Sequence, residues 1–148
     1  MIVEHYSERW ELDVARLVEN FHKEAAGEYL GLFDLGTIRE TIAKLQGEQA
    51  DNAFLLIVDD VCQGILAGVE YKSLSSCKRI FQEVIWYVNP EFRRFGVALL
   101  KNAEKRLKGA GIDIMIMAVL ENSKTDKIKS LYERLGFKPM ESHYVRNL

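Results

Sequence analysis

One stretch decides the fold: residues 80–108 read IFQEVIWYVNPEFRRFGVALLKNAEKRLK. Its first nine residues, 80–88, are mostly β-branched or aromatic, with apolar residues on both alternating faces, which predicts a central strand covered on both sides. Asn89-Pro90 ends this strand, because proline lacks the N–H that a β-ladder requires. From Ala98 to Leu107 apolar residues recur at helical spacing. The stretch therefore predicts a strand, a polar turn and a helix in direct succession.

The turn between the predicted strand and helix has the properties of a phosphate-binding site. The first N–H groups of a helix have no intrahelical acceptor, and the helix dipole adds positive charge there. Gly96 has no Cβ, so a diphosphate can approach the backbone, and Ala98 is nearly as small. Arg93 and Arg94 can add charge-assisted hydrogen bonds. An ordinary turn with solvated arginines is the alternative, because short motifs often match by chance.

Two motifs resemble those of the GNAT superfamily of N-acetyltransferases. Residues 93–98, RRFGVA, resemble its coenzyme-A-binding signature Q/R-x-x-G-x-G/A, and residues 88–92, VNPEF, resemble the V-x-P-x-Y/F that precedes it. Residues 131–137, LYERLGF, are similar to the family's LYEKLGF segment. The two motifs occur in the family's order, separated by a predicted helix and strand. Sequence motifs support the resemblance from Glu83 to Phe137, and the predicted order of strands and helices supports it over the whole chain.

The remaining sequence predicts elements that fit one α/β domain over residues 1–148. Further strands are predicted at 2–6, 54–58, 63–71 and 112–120, with one or two closing strands within 137–145. Helices are predicted from Ser7 to about Gly27, from Asp34 or Thr37 to Gly47, and from Ser123 or Thr125 to Leu135. Asp59-Asp60 predicts a hairpin turn. The order β-α-α-β-β-β-α-β-α-β predicts a mixed central sheet, and the resemblance implies a GNAT-like domain with helices on both sheet faces.

Composition places the chain among ordinary globular domains. Its 148 residues are 48% hydrophobic and 28% charged, which suffices for a sizeable core. The first residues, MIVEHYSERW, lack the pattern of a signal peptide, and no apolar stretch reaches membrane-spanning length. Cys62 and Cys77 lack metal-ligand spacing and read as reduced thiols. We therefore expect a cytoplasmic protein that holds no metal and does not act at a membrane.

The charge distribution is uneven along the chain. Residues 1–70 carry 14 Asp/Glu and 5 Lys/Arg, whereas residues 71–148 carry 15 Lys/Arg and 8 Asp/Glu. One interpretation is solvated surface charge that happens to cluster. The other is that the basic half binds a polyanionic cofactor and the acidic half faces a cationic acceptor. The basic residues alternate with core positions and form no long run, which argues against nucleic-acid binding.

The resemblance implies acetyl transfer to an amine and suggests which residues catalyse it. Tyr132 lies in the LYERLGF segment, and in GNAT enzymes this tyrosine is near the coenzyme sulfur. A phenol is protonated at neutral pH and can give its proton to the leaving thiolate. Glu83 is a lone acid within an apolar strand, where some family members place the general base; solvent exposure is the alternative reading. His143 and Glu121 are further candidates for the base.

The same resemblance implies a set of coenzyme contacts. The backbone of Trp86, Tyr87 and Val88 is expected to bind the pantetheine arm almost as another strand. The diphosphate is expected on the amides of Arg94, Phe95, Gly96, Val97, Ala98 and Leu99, with the Arg93 side chain as a further contact. Asn122 resembles an asparagine that contacts the coenzyme in many members, although its spacing to Tyr132 is longer than in the family pattern.

Taken together, the sequence predicts an acetyl-CoA-dependent N-acetyltransferase that moves the acetyl group directly to a primary amine. Neither cysteine lies in a Cys-His-Asp-like context, so a covalent enzyme intermediate is the weaker alternative. The acceptor, a small molecule or a peptide, is not readable, and the oligomeric state is open, with a homodimer as one alternative. A non-catalytic acyl-CoA-binding or regulatory module is the competing interpretation. It is favoured by Met115, Ile116 and Met117, which leave the later strand without an acid.

Overall fold

The computed structural model of the chain describes residues 1–45, 50–122 and 124–148. Its five strands form one sheet in the order β1-β2-β3-β4-β5. The first four strands pair antiparallel and β4 pairs parallel with β5, so the predicted mixed sheet is confirmed. The strands are β1 (Ile2–His5), β2 (Ala53–Val58), β3 (Val61–Lys72), β4 (Arg79–Val88) and β5 (Ile114–Ile116).

The helices follow the predicted order. They are α1 (Glu11–Phe21), the single turn α2 (Gly27–Leu30), α3 (Leu35–Leu45), α4 (Gly96–Gly109) and α5 (Thr125–Arg134). A π-helical segment, His22–Ala26, joins α1 to α2, and a 3-10 segment, Pro90–Phe95, leads into α4. The predicted helix end at Gly47 and the predicted cap at Ser123 lie outside the described residues. No helix in the described ranges is long and apolar enough to cross a membrane.

Two hydrophobic cores cover the two faces of the sheet. On one face, α1 and α3 pack against β2, β3 and β4, with Val14, Leu17 and Ile42 among the buried contacts. On the other face, α4 packs through Leu99, Leu100 and Ala103. The strand β2 is buried on both faces because both helical layers cover it. The predicted arrangement of helices on both faces of the sheet is confirmed.

A β-bulge in β4 decides which side chains face each layer. Ala67 pairs with Ile85 but Gly68 pairs with Glu83, so Val84 is an extra residue in the strand. The extra residue reverses the alternation: Phe81 and Val88, seven positions apart, both pack in the core on the α4 face. Gly68 allows the close strand approach, since a Cβ there would lie 2.3 Å from the Gln82 oxygen.

The hairpin turn predicted at Asp59-Asp60 is confirmed. Both residues have positive φ, 50° and 57°, as a type I′ turn requires. This turn joins β2 to β3 directly, so the first half of the sheet is a compact antiparallel unit.

The predicted closing strands and the length of β5 are wrong. Residues 137–148 form no strand in the structure, and Tyr144 is 97% exposed. Pro139 cannot donate to a ladder, and the segment has too few apolar residues to repay ordering against the sheet edge. β5 was expected over 112–120 but covers only Ile114–Ile116, because its pairing with β4 stops at Gln82. Beyond that point the Ala118 N–H donates to the Glu83 side chain and not to the backbone of β4.

Candidate active site

An opening between β4 and β5 is the central feature of the site. The two strands pair only where Ile80–Gln82 meets Ile114–Ile116, while β4 continues to Val88. Beyond Gln82, the β5-facing edge of β4 has no strand partner in the described ladder. Trp86, Tyr87 and Val88 lie along this free edge, where the resemblance puts the pantetheine arm. The edge therefore offers backbone donors and acceptors to an extended ligand.

Glu83 and Tyr132 both bond the backbone of one residue, Ala118, at the inner end of this opening. Glu83 lies at the bulge in β4, and its Oε2 accepts a hydrogen bond from the N–H of Ala118 at 2.9 Å. The Tyr132 hydroxyl donates to the carbonyl oxygen of Ala118 at 3.0 Å. The two residues predicted to be catalytic are thus brought together from a strand and a helix. The Ala118 backbone that joins them was not anticipated.

Burial controls the protonation of both residues. Glu83 is 8% exposed, and burial raises the pKa of its carboxyl to about 7, although the Ala118 N–H partly opposes this. Burial, followed by the nearby Glu83 charge, raises the pKa of Tyr132 above its ordinary value. At neutral pH the site therefore holds a half-ionised carboxyl beside a fully protonated phenol, the pattern expected of a base and a proton donor.

The LYERLGF segment fixes the ring of Tyr132. Gly136 follows the helix with φ +87°, a conformation that glycine adopts without strain. The chain then reverses, and Phe137 N–H donates to the Tyr132 carbonyl at 2.9 Å while the two rings lie 5.4 Å apart. On its other side Tyr132 stacks on Trp86, with centroids 5.9 Å apart and planes at 23°. These contacts explain why a tyrosine, a glycine and a phenylalanine occur at these spacings.

The start of α4 has the features of an anion site. No side-chain hydrogen bond caps the helix at Phe95 in the described structure, although the Gly96 N–H donates to the Arg93 carbonyl of the preceding 3-10 segment. A Cβ on Gly96 would lie 3.7 Å from Trp86 Cζ2 and 3.8 Å from Val88 Cγ2, which are ordinary contacts. Alanine would therefore fit there, while the branches of valine would press on the sheet. Arg94 is exposed beside this turn and lies over the Phe95 ring.

Unlike Arg94, Arg93 is held by hydrogen bonds to β4 and to the segment after α1. Its Nε donates to the carbonyl oxygen of Val88 at 3.2 Å, and its Nη2 bonds the carboxylate of Glu24 at 2.5 Å. The Glu24 carboxylate also accepts hydrogen bonds from the Tyr87 hydroxyl, at 3.0 Å, and from Lys124 Nζ. Glu24 lies in the π-helical segment after α1, so this cluster joins the acidic half of the chain to the end of β4.

Asn122 lies in the loop before α5 and is exposed. Its side-chain oxygen accepts the N–H of Lys124 at 2.9 Å, and its own N–H donates to Thr125 Oγ1 at 2.8 Å. Asn122 therefore shapes the loop that carries Lys124.

The other candidates for the base are surface residues. His143 is 75% exposed at its side chain and lies 3.3 Å from Glu141, while the Glu121 side chain is 70% exposed and pairs with Lys129. Neither is buried as Glu83 is, which favours Glu83 among the candidates.

A largely apolar cavity of about 410 Å³ lies on the α1/α3 face of the sheet. Phe21 and Phe33 line it from the helical side and Val84 and Ile85 from β4. Asp34 is at its rim, where its carboxylate caps α3 through the N–H and hydroxyl of Thr37, which lower the pKa of the carboxyl. The cavity gives the acidic half of the chain a concave surface close to the bulged residues of β4.

Glu24 and Lys124 were missed by the sequence reasoning. Residue 24 is 100 positions from Lys124 and 69 from Arg93, so no local pattern links them. The only signal was the excess of acids in residues 1–70, which indicated a type of residue but no position.

The comparisons with known proteins define the family. The model of the acetyltransferase (GNAT) family matches residues 6–137, so this chain belongs to the GNAT acetyltransferase family. The resemblance inferred from its two motifs is thereby confirmed. The comparison with curated proteins returns no match.

Solved structures share the fold at low sequence identity. The chain is similar to a transcriptional regulator from Bacillus halodurans C-125 (TM-score 0.79, 14% identity, 99% of each chain covered). It is also similar to the aminoglycoside acetyltransferase HMB0005 from an uncultured soil metagenomic sample (TM-score 0.75, 18% identity, 99% of this chain and 97% of that one). A third is AAC(6')-Iy in complex with the bisubstrate analog CoA-S-monomethyl-acetylneamine (TM-score 0.73, 15% identity, 99% and 97%). These likenesses establish the fold and leave the substrate open.

Proposed function

We propose that residues 1–148 form a single catalytic domain that transfers an acetyl group from acetyl-CoA directly to a primary amine. The observation that carries this proposal is that Glu83 bonds the N–H of Ala118 and Tyr132 bonds its carbonyl, at the inner end of the β4–β5 opening. A base and a proton donor at one point are what acyl transfer to an amine needs. Family membership supports the acyltransferase class.

Glu83 is proposed to act as the general base. Above a pH of about 7 its carboxylate is ionised and can accept a proton from the acceptor amine, directly or through a water molecule. When bound, acetyl-CoA supplies a thioester whose carbonyl carbon accepts the amine lone pair and whose sulfur leaves with the bonding electrons. The Ala118 N–H, which bonds Glu83, holds the carboxylate at a fixed position for the proton transfer.

Tyr132 is proposed to serve the leaving thiolate. Its phenol is protonated across the neutral range, and its hydrogen can turn from the Ala118 carbonyl to a negatively charged sulfur. Burial that raises the pKa of the phenol also raises the basicity of a thiolate next to it, so the two stay matched. Trp86 and Phe137 keep the ring in place during this exchange.

The residues at the opening fit the proposed donor. The free edge of β4 at Trp86, Tyr87 and Val88 suits the amide-containing pantetheine arm, and the start of α4, which no side chain caps among the described residues, suits a diphosphate. The amides of 94–99 are the proposed diphosphate contacts, with the Arg94 side chain as an added cation. Asn122 is proposed to act at this end of the site through the loop it shapes.

The proposed acceptor is a cationic amine. Two of the similar structures are aminoglycoside acetyltransferases by name or by their bound aminoglycoside analog, and such acceptors carry several amino groups. The acidic half of this chain and the carboxylate of Glu24 are consistent with an acceptor of that charge.

The experiment is thiol release from acetyl-CoA by the purified protein with a panel of amines. The panel holds aminoglycosides, polyamines, amino acids and peptides with a free amino terminus. Release that depends on both the protein and one amine class, with the acetylated amine identified by mass spectrometry, supports the proposal. Absence of release across the panel by a folded protein that binds acetyl-CoA would contradict it.

That last outcome would favour the second candidate, a non-catalytic acyl-CoA-binding or regulatory module. Two observations favour this candidate. Residues Met115–Met117 offer no acid on the segment after α4, and one similar structure is named a transcriptional regulator. The buried pair of Glu83 and Tyr132 argues against it, because a binding module has no need of a titrating carboxyl at that point.

A further inference from the structure

Glu24 occupies an unusual position for a carboxylate of the acidic half. It follows α1 in the π-helical segment and reaches the carboxyl end of β4. Asn20, one turn earlier, donates to the Asn89 side chain at 3.3 Å and so attaches α1 to the same end of the strand. Glu24 is therefore held at the mouth of the β4–β5 opening, on the α1/α3 face of the sheet.

The three groups that bond Glu24 differ in how firmly they are fixed. The Tyr87 ring is buried in the sheet core, and Arg93 is fastened by the Val88 carbonyl and lies 5.9 Å over that ring. Lys124 comes from the exposed loop before α5, and its side chain is 48% exposed. Tyr87 and Arg93 thus orient the carboxylate, whereas Lys124 contributes a flexible primary ammonium group that another cation can replace.

We propose that Glu24 binds an ammonium group of the acceptor at the place that Lys124 Nζ fills in its absence. This inference rests on the proposed function and specifies its acceptor. Lys124 itself demonstrates the fit, since its ammonium is the chemical group in question and it already bonds the carboxylate. Arg93 and Tyr87 bond the same carboxylate and hold it in place for the incoming cation.

The electrostatics of Glu24 suit binding and exclude proton transfer. Burial opposes ionisation, but hydrogen bonds from Lys124, Arg93 and Tyr87 outweigh it and lower the pKa of Glu24 to about 2. The carboxylate is therefore charged at every pH at which an enzyme of this kind works. A base must change protonation near the working pH, so Glu24 serves as a fixed anion.

The placement also indicates the class of acceptor. Tyr87, which bonds Glu24, is four residues beyond Glu83 along β4, and Val84 between them is the extra residue of the bulge, so the two positions are about 10 Å apart at the rise of a strand. The two acids also lie on opposite faces of the sheet, with Glu83 on the α4 side and Glu24 on the α1/α3 side. One amino group cannot contact both acids over that span. The acceptor therefore carries at least two amino groups, of which one is acetylated near Glu83 and another stays charged on Glu24. Linear polyamines and aminoglycosides are compounds of this kind.

The test is calorimetric binding of octamethylenediamine and spermidine, without coenzyme, with octylamine as the matched monoamine. Glu24→Gln keeps the shape of the side chain and is expected to weaken diamine binding about tenfold, while octylamine is little affected. Lys124→Gln removes the competing ammonium and is expected to tighten diamine binding several-fold. Glu19→Gln, which changes the same charge in an exposed pair with Lys23 on α1, is the control.

A binding site predicts that Glu24→Gln weakens diamine binding and that Lys124→Gln tightens it, whereas a purely structural ion pair does not predict these opposite effects. If Glu24→Gln and Lys124→Gln weaken binding alike, or if wild-type protein binds neither octamethylenediamine nor spermidine, the inference is overturned. Acetylation of a monoamine without diamine binding would contradict this inference but support the proposed function. Diamine binding without acetylation of any amine would do the reverse.

Discussion

Two glutamates of this chain, Glu83 and Glu24, have opposite surroundings. Glu83 is enclosed on the α4 side of the sheet and accepts one backbone N–H among the contacts of the described residues. Glu24 is exposed at the mouth of the opening and is bonded by two cations and a phenol. The pKa of the first is raised to about 7 and that of the second is lowered to about 2. These environments suit the first carboxyl to the proton transfer proposed for it and the second to holding charge.

The largest expected effect is on Glu83. Glu83→Gln can still accept the Ala118 N–H but cannot take a proton, so kcat is expected to fall by about 10²–10⁴-fold. Steady-state thiol release measures it, with calorimetry showing that acetyl-CoA affinity is retained. If kcat is unchanged in a variant that folds, the assigned base is wrong.

Tyr132→Phe is expected to have the second largest effect, a decrease of about 10²-fold in kcat. The change removes only the hydroxyl, so the stacking on Trp86 and the affinity for coenzyme are retained. Tyr144→Phe, at an exposed tyrosine of the C-terminal segment, is a matched control that should not change the rate. Equal rates for both variants, with chemistry limiting, would refute the role of Tyr132.

The pH dependence of stability is expected to distinguish the two acids. The folded-state pKa of Glu83 is raised from 4.5 to about 7. Its stabilising contribution to the free energy of unfolding is therefore complete below pH 4.5 and is lost as the pH rises through 7. The loss is about 3 kcal/mol at most. The pKa of Glu24 is lowered, so its contribution is present above 4.5 and is lost as pH falls toward 2. Solvent screening limits it to less than about 1 kcal/mol.

Urea unfolding of wild type, Glu83→Gln and Glu24→Gln from pH 3 to 8 measures these contributions. Glu83→Gln should remove the decline between about pH 5 and 7, and Glu24→Gln should reduce only the loss at the acidic end. Identical pH profiles for the two variants would show that their environments do not differ as described.

The smallest expected effect is that of salt. An exposed anion that attracts a cationic acceptor is screened over roughly 8–10 Å at 0.1–0.15 M salt, so kcat/KM for a diamine should fall modestly as ionic strength rises. Glu24→Gln should flatten that dependence, while Glu83→Gln, in a site away from solvent, should leave the slope unchanged. A steep slope that survives Glu24→Gln would assign the attraction to other acids.

The sequence predicted what depends on local pattern. The strand, turn and helix of residues 80–108 follow from residue periodicity and from Pro90, and the turn at Asp59-Asp60 follows from its own residues. Glu83 was proposed as the base because the resemblance places a catalytic glutamate on this strand and because a lone acid in an apolar strand is unusual. In each case the residues that determine the feature are close together in the chain.

The sequence could not predict what depends on distant contacts. The Glu24 cluster joins three segments, and the bulge that turns Glu83 toward Tyr132 depends on the pairing of β4 with Gly68. The apolar residues of 112–120 predicted a long strand, but divergence from β4 ends it at Ile116. Residues 137–145 were expected to close the sheet, yet a strand forms only where it can pair with the edge of another strand.

The most direct test of the central claim is the pH dependence of kcat/KM for wild type and Glu83→Gln with an alkylamine acceptor. The amine loses its own proton near pH 10, which gives a slope of about one on a logarithmic plot below that pH. A base with a pKa of about 7 steepens the wild-type slope to about two below pH 7. Glu83→Gln should show slope one throughout. The same steepening in both proteins would contradict the assignment of Glu83 as the base.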